Sequence, residues 1–185
     1  SLGSTYISGA TKIETSKLSR WHVENKKIVL DETLSYSSMG SSSTLQSYLE
    51  WGITEYPAQK TGVIFWNHGG AMYGCCYDEL KSDDSLTNSE MKTAFSKALA
   101  NTGSSKLEFV GYDTCLTQVQ DIAEFNSNYF NYMIASEESE SGYGWDYDTW
   151  VDDLYTNKPT ETILKAIVDG FITDNGGASS SRSDQ

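Results

Sequence analysis

Apolar residues along the chain fall into two patterns, short continuous blocks and stripes that recur every three or four positions. Residues 1–43 are rich in Ser and Thr. Within them lies one strand-like stretch, Arg20–Leu30, whose apolar positions are Trp21, Val23 and Ile28-Val29-Leu30. Asn25-Lys26-Lys27 interrupts it with turn chemistry, which predicts a hairpin. Over residues 44–55, Leu45, Leu49 and Ile53 recur every four positions with Tyr48 on the flank, the spacing of a helix. Tyr56-Pro57 ends it, because a proline ring pushes the preceding residue out of helical backbone.

Beyond that point the two patterns alternate. Val63–Trp66 is a continuous apolar run, as in a strand covered on both faces. Asp78–Asp84 reads as an acidic loop. Thr87 and Glu90 have capping-box spacing, with Met91, Phe95 and Leu99 on one stripe behind them. Leu107–Val110 is a second buried strand. Leu116, Val119, Ile122 and Ala123 predict a helix beginning directly after Cys115, and Phe130–Ala135 is a third strand. A loop dense in Glu, Gly and Trp follows. Helices are then predicted over Val151–Tyr155 and Thr160–Ile172, the second with Ile163, Ile167 and Phe171 on one face. The polar stretch Gly176–Gln185 reads as a flexible tail. Strands alternating with helices over short loops imply an α/β domain with a mostly parallel sheet flanked by helices, joined by right-handed crossovers.

Composition narrows the partners. A chain of 185 residues with 38% hydrophobic and 12% aromatic content packs as one domain, residues 1–185, and is too apolar to be a disordered acidic segment. The formal net charge of −13 argues against nucleic acid and against anionic membrane surfaces. It suits basic substrates, although solubility alone accounts for it equally well. Cys75, Cys76 and Cys115 form no plausible disulfide framework, since the count is odd and two are adjacent. No run approaches the length of a membrane span, and no signal-peptide pattern opens the chain. Oligomeric state is not readable.

In a parallel sheet, functional groups gather at the carboxyl ends of the strands. The first sheet strand ends in Asn67-His68-Gly69-Gly70 and the second in Asp113-Thr114-Cys115. If the strands are neighbours, His68 and Cys115 share an edge. A cysteine at a helix N-terminus sits against positive partial charge that favours the thiolate, and a nearby imidazole can deliver a proton to a leaving amine. Gly69 and Gly70 allow backbone N–H groups to approach a developing oxyanion, with the Cys115 amide as a further donor. Taken singly these features have plain structural explanations: loop histidines, packed cysteines and Gly-Gly turns are common. Together, at matching strand ends, they indicate a catalytic dyad. His22 reads as structural or exposed, and Cys75-Cys76 as packing. The clusters Asp78-Glu79, Asp83-Asp84 and Glu137-Glu138 supply oxygen ligands for a hard cation but have no EF-hand spacing, so solvated surface is the simpler reading. Asp113 after a buried strand also matches a phosphotransfer aspartate, but that pattern needs a carboxylate where Cys115 stands.

Trp66-Asn67-His68-Gly69-Gly70, Asp113-Thr114-Cys115-Leu116 and Ala135-Ser136-Glu137-Glu138 with Gly142-Tyr143-Gly144-Trp145 are similar, in this order, to the motifs of the clostripain-like cysteine peptidases. Tyr56-Pro57-Ala58 and Leu86-Thr87 add weaker support, and the match covers most of residues 20–175. The resemblance implies a caspase-haemoglobinase-like three-layer sandwich. The 47-residue separation of His68 and Cys115 is close to the ~50 noted for caspases. The resemblance further implies a secreted or cell-surface bacterial endopeptidase that cleaves after Arg or Lys, often activated by self-cleavage and often responsive to calcium, with no cofactor required for the chemistry. Residue by residue, His68 and Cys115 match the dyad and Asp113 an acidic wall of the pocket. The family's second carboxylate position falls on Tyr143; Glu138, Asp146 or Asp148 is expected to compensate, or Tyr143 to accept a different side chain. Lys81 falls near the family's self-processing segment. The family has a further strand and helix before this region and a strand after it, so the chain reads as a catalytic fragment. The competing reading is an inactive domain of the same fold used for binding.

Overall fold

The computed structural model describes residues 5–7, 11–14, 16–156 and 158–174. The predicted tail lies outside them. Two antiparallel pairs open the chain: β1 (Thr5–Ile7) with β2 (Thr11–Ile13), and β3 (Lys17–Glu24) with β4 (Lys27–Ser35). The second pair is the predicted hairpin. Asn25 and Lys26 both adopt positive φ, 50° and 63°, which matches the turn to the right-handed twist of the strands. α1 (Ser42–Glu55) begins where the Ser41 side chain accepts the Thr44 N–H, and it buries Leu45 and Leu49.

The centre of the molecule is a three-stranded parallel sheet in the order β5 (Gly62–Trp66), β8 (Leu107–Asp113), β9 (Phe130–Ile134). α2 (Asn88–Thr102) links the first two strands and α3 (Gln120–Asn126) the last two. Thr87 and Glu90 form the predicted capping box at the start of α2, which buries Met91, Ala94, Phe95, Ala98 and Leu99. These residues pack with Leu45, Leu49, Val63, Phe65, Val110, Tyr112, Ile122 and Phe125 into one core. Strand residues of the opposite parity serve a second core, where Ile64 and Ile134 meet Trp145, Trp150, Ile163 and Ile167, the last two from α4 (Thr160–Asp174). The result is a helix–sheet–helix sandwich. Gly111 sits where a Cβ would come within 3.0 Å of the Trp145 ring, so its lack of a side chain lets the indole lie on the sheet.

Three sequence expectations need correction. The helix expected directly after Cys115 starts only at Gln120; residues 115–119 are an irregular turn. The acidic stretch is not a plain loop. It forms the end of an antiparallel ribbon of β6 (Cys75–Asp78) and β7 (Asp84–Leu86), with a 3-10 turn Glu79–Lys81 between them. Asp78 is buried, accepting hydrogen bonds from the Tyr36 hydroxyl at 2.7 Å and the Met39 amide at 2.9 Å. The helix predicted at Val151–Tyr155 is a 3-10 segment.

Candidate active site

β5 and β8 are paired in parallel with Trp66 opposite Asp113. His68 and Cys115 each follow two residues later, so both leave the carboxyl edge of the sheet side by side and line one cleft of about 380 Å³. Asn67 fixes the end of β5. Its amide donates to the Asp113 carbonyl, while its side-chain oxygen accepts the His68 amide at 2.7 Å and the Tyr77 amide at 3.0 Å. His68 itself is exposed, and its carbonyl accepts the Cys76 amide at 3.0 Å.

Gly69 follows at the closest contact in the site. A Cβ there would lie 2.0 Å from the Cys115 carbonyl oxygen and 3.0 Å from its nitrogen, so only glycine lets the two backbone segments meet. Gly70 is different. Its N–H donates to the Gly74 carbonyl at 2.8 Å, which removes it from the set of oxyanion donors expected from the sequence. Gly69 and Cys75 form the isolated antiparallel bridge of that turn, flanked by the Gly70 and Cys76 bonds, a pattern that directs the Gly69 N–H away from Cys75.

Cys115 is half-buried and does not sit on a helix N-terminus. Its sulfur instead accepts the Glu140 backbone N–H at 3.2 Å. The adjoining backbone is tied to the same loop: Leu116, at φ 59°, donates to the Glu138 carbonyl, and Gln118 donates to the Ser136 carbonyl. Cys75 is fully buried, and its pKa is driven well above the ordinary thiol range by a hydrogen bond with Cys76 and by burial.

Beside the thiol, Asp113 is 3% exposed, and its Oδ2 accepts the Trp145 amide at 3.1 Å and the Tyr147 hydroxyl at 3.0 Å. Burial raises its pKa above the usual carboxyl value, against the pull of those donors. Gly144 passes directly over it at φ 70°, where a Cβ would be 2.9 Å from Oδ2. The other expected substrate-binding residues lie elsewhere. Tyr143 is 70% exposed, Glu138 is exposed, and neither lines the cleft. Asp146 and Asp148 are likewise absent from its lining. Besides Asp113, the acidic residue that lines it is Glu140, which sequence reasoning missed. Its Oε1 accepts the Trp145 indole N–H at 3.2 Å, and burial, reinforced by the Asp113 charge, raises its pKa to about 8.

Lys81 is exposed on the ribbon end, with Nζ 4.8 Å from the Tyr36 ring centroid; Ser82 and Asp83, both at positive φ, follow it. His22 pairs with Asp31 at 2.9 Å, remote in sequence from the cleft residues and not lining it. Among the described residues no group of three or more His, Cys, Asp or Glu side chains is placed to hold a metal ion. Also among the described residues, no helix is long and apolar enough to cross a membrane.

A parallel α/β sandwich that presents a cysteine and a histidine from adjacent strand ends has the architecture of the caspase-type cysteine peptidases. The sequence profile of the Clostripain family matches residues 9–178, and the chain belongs to that family. Among solved structures it resembles a secreted C11 cysteine protease from Bacteroides thetaiotaomicron in complex with an irreversible peptide inhibitor, at TM-score 0.72 and 19% identity over 93% of this chain and 51% of that one. It also resembles an inactive zymogen C11 protease from Parabacteroides distasonis, at TM-score 0.62 and 22% identity over 85% and 44%. The chain thus spans about half the length of these relatives. No curated protein matches it.

Proposed function

We propose that the chain is the catalytic part of a cysteine endopeptidase that cleaves after Arg or Lys, with Cys115 as nucleophile and His68 as acid/base. The observation that carries this reading is the arrival of sulfur and imidazole at one cleft from paired strands, beside the buried Asp113 carboxyl. The Cys115 thiolate attacks the scissile carbonyl carbon. The resulting oxyanion accepts N–H bonds from Gly69 and Cys115, whose backbones the missing Cβ brings together. His68 gives its proton to the departing amine, which leaves a thioester. It then takes a proton from water, whose oxygen displaces the sulfur to release the acid product. The Glu140 N–H on the sulfur favours the thiolate as it forms, because an anion accepts a stronger hydrogen bond than a thiol does. Asp113 receives the guanidinium or ammonium of the substrate.

A basic chloromethyl ketone is expected to label Cys115 alone, and Cys115→Ala is expected to abolish both labelling and peptide cleavage. Labelling confined to Cys76, or a folded protein inert to the reagent, would instead favour the inactive binding domain. A peptide library should be cut after Arg or Lys; a preference for apolar side chains would remove the role given to Asp113.

A secreted or cell-surface bacterial setting belongs to the same proposal, supported by the secreted Bacteroides relative. So does self-processing after Lys81. The exposed ribbon end presents that bond, and one relative is described as an inactive zymogen. Mass spectrometry of the purified protein should find a cut between Lys81 and Ser82 that Cys115→Ala lacks; an uncut, fully active protein would show that no such step is needed.

A further inference from the structure

We propose that Asn67 is the positioning residue of the dyad: it ties the His68 segment to the strands on either side and so sets the imidazole against the Cys115 sulfur. This rests on the Cys115–His68 reading given above. Asn67 stands between the last residue of β5 and His68. Its N–H donates to the Asp113 carbonyl at 3.4 Å, which carries the β5–β8 pairing one step past Trp66, to a point two residues before Cys115. Its side-chain Oδ1 accepts the His68 N–H at 2.7 Å and the Tyr77 N–H, from β6, at 3.0 Å. One residue thus links the thiol's strand, the histidine and the ribbon behind the histidine.

Regular strand pairing does not hold this segment by itself. From Asn67 to Tyr77 the chain doubles back through a 3-10 turn at Ala71–Tyr73, tied by the Cys76 N–H on the His68 carbonyl at 3.0 Å and the Gly70 N–H on the Gly74 carbonyl at 2.8 Å. Ala71 and Cys76 both sit at positive φ, 52° and 61°, a conformation that costs an L side chain energy and persists only where surrounding bonds impose it. At the open end of the ribbon the Tyr77 amide meets a side-chain oxygen in place of a backbone carbonyl. A catalytic imidazole is commonly oriented by a third side chain, yet among the described residues none hydrogen-bonds the His68 ring. The backbone around His68 must supply that orientation, and Asn67 is where it is anchored. Both residues are exposed, so water can satisfy the two amides if the oxygen is removed. The loss then falls on geometry more than on stability.

The test takes two readings on the wild-type protein, Asn67→Ala, Asn67→Asp and His68→Ala. One is kcat and KM for a peptide with arginine before the cut; the other is the pH midpoint of iodoacetamide alkylation, mapped to Cys115 by mass spectrometry. That midpoint needs no turnover, and it reports how well an imidazolium supports the thiolate, which a purely structural role would not move. Asn67→Ala is expected to lower kcat by about 10- to 100-fold, the scale of an ångström's misplacement, with KM within about threefold. It should also raise the alkylation midpoint by about one pH unit. Asn67→Asp keeps both acceptor positions and should recover most of the lost rate. Should the alanine variant not fold, Asn67→Ser, with an acceptor on a shorter stem, carries the test with the same signs. Equal losses in Asn67→Ala and Asn67→Asp would overturn the proposal, as would a lower melting temperature with kcat and the midpoint unchanged. His68→Ala should abolish turnover and move the midpoint furthest. If it does neither, the dyad falls and this proposal with it; if it does both while Asn67→Ala does neither, the dyad stands and Asn67 has no part in it.

Discussion

Gly69 defines the tolerance of the site at the scale of one residue. The atoms a Cβ would strike belong to the Cys115 backbone, which cannot rotate aside as a flexible side chain would. Gly69→Ala must therefore separate the two strand ends, and a shift of an ångström at the reacting atoms is enough to cost about 100-fold in rate. We expect kcat/KM to fall by at least that factor, with a stability loss of about 1–3 kcal/mol from overpacking in thermal melts. A variant with wild-type kinetics would show that the contact is not needed for the geometry. The same scale marks where sequence reading failed. Asp113 was picked out through the motif Asp113-Thr114-Cys115-Leu116, which resembles that of the clostripain-like peptidases. Glu140 was not, because it lies among Glu137, Glu138 and Asp146, and a string of acids gives no sign of which one turns inward. Here that is decided by a hydrogen bond Glu140 accepts from the residue five positions downstream and one it donates to the residue 25 positions upstream.

Secondary elements were read best where local chemistry and packing agree. α2 has a capping box and a buried stripe, both visible in sequence, and it ends on a Gly103 C-cap at φ 69°. Thr87→Ala removes a side-chain acceptor from the Glu90 amide and should destabilise the protein by about 1 kcal/mol in urea titrations, without changing the active thiol. No change in the unfolding midpoint would mean that packing alone sets the start of this helix. The segment after Cys115 shows the reverse case. Leu116, Val119, Ile122 and Ala123 have helical spacing, yet the amides of Leu116 and Gln118 bond to carbonyls of Glu138 and Ser136, extending the contact between β8 and β9. These bonds compete with the first helical turn and win. The consequence is chemical as well as structural, since the thiol is stabilised by a loop amide rather than by a helix dipole.

At the scale of the whole molecule, the end of the sheet opposite the cleft is held by charge. Glu108 on β8 pairs with Lys60 ahead of β5 at 2.8 Å, accepts the hydroxyl of Thr160 at the start of α4, and accepts the Asn131 amide of β9 at 3.1 Å. One carboxylate thus joins all three strands to a helix. The Lys60 and Thr160 hydrogen bonds depress its pKa from 4.5 to about 2. Because the folded value is the lower, this contribution is complete above about pH 4.5 and is lost as pH falls towards 2. Glu108→Gln should therefore flatten the acid limb of the stability curve in that window while leaving peptide cleavage at neutral pH intact. An unchanged acid limb would place the pH sensitivity elsewhere.

By itself, the sequence determined most of the periodic elements, the parallel α/β class and the candidate pair His68 and Cys115, because each depends on side chains near one another in the chain. In the folded strand, parity sends Val63 and Phe65 to one core and Ile64 to the other. Only the tertiary structure decided which amides remain available to an oxyanion, which acid of a crowded loop enters the cleft, and what stabilises the sulfur. Those outcomes depend on hydrogen bonds between segments far apart in sequence, whose partners are fixed only once the sheet has set their distance.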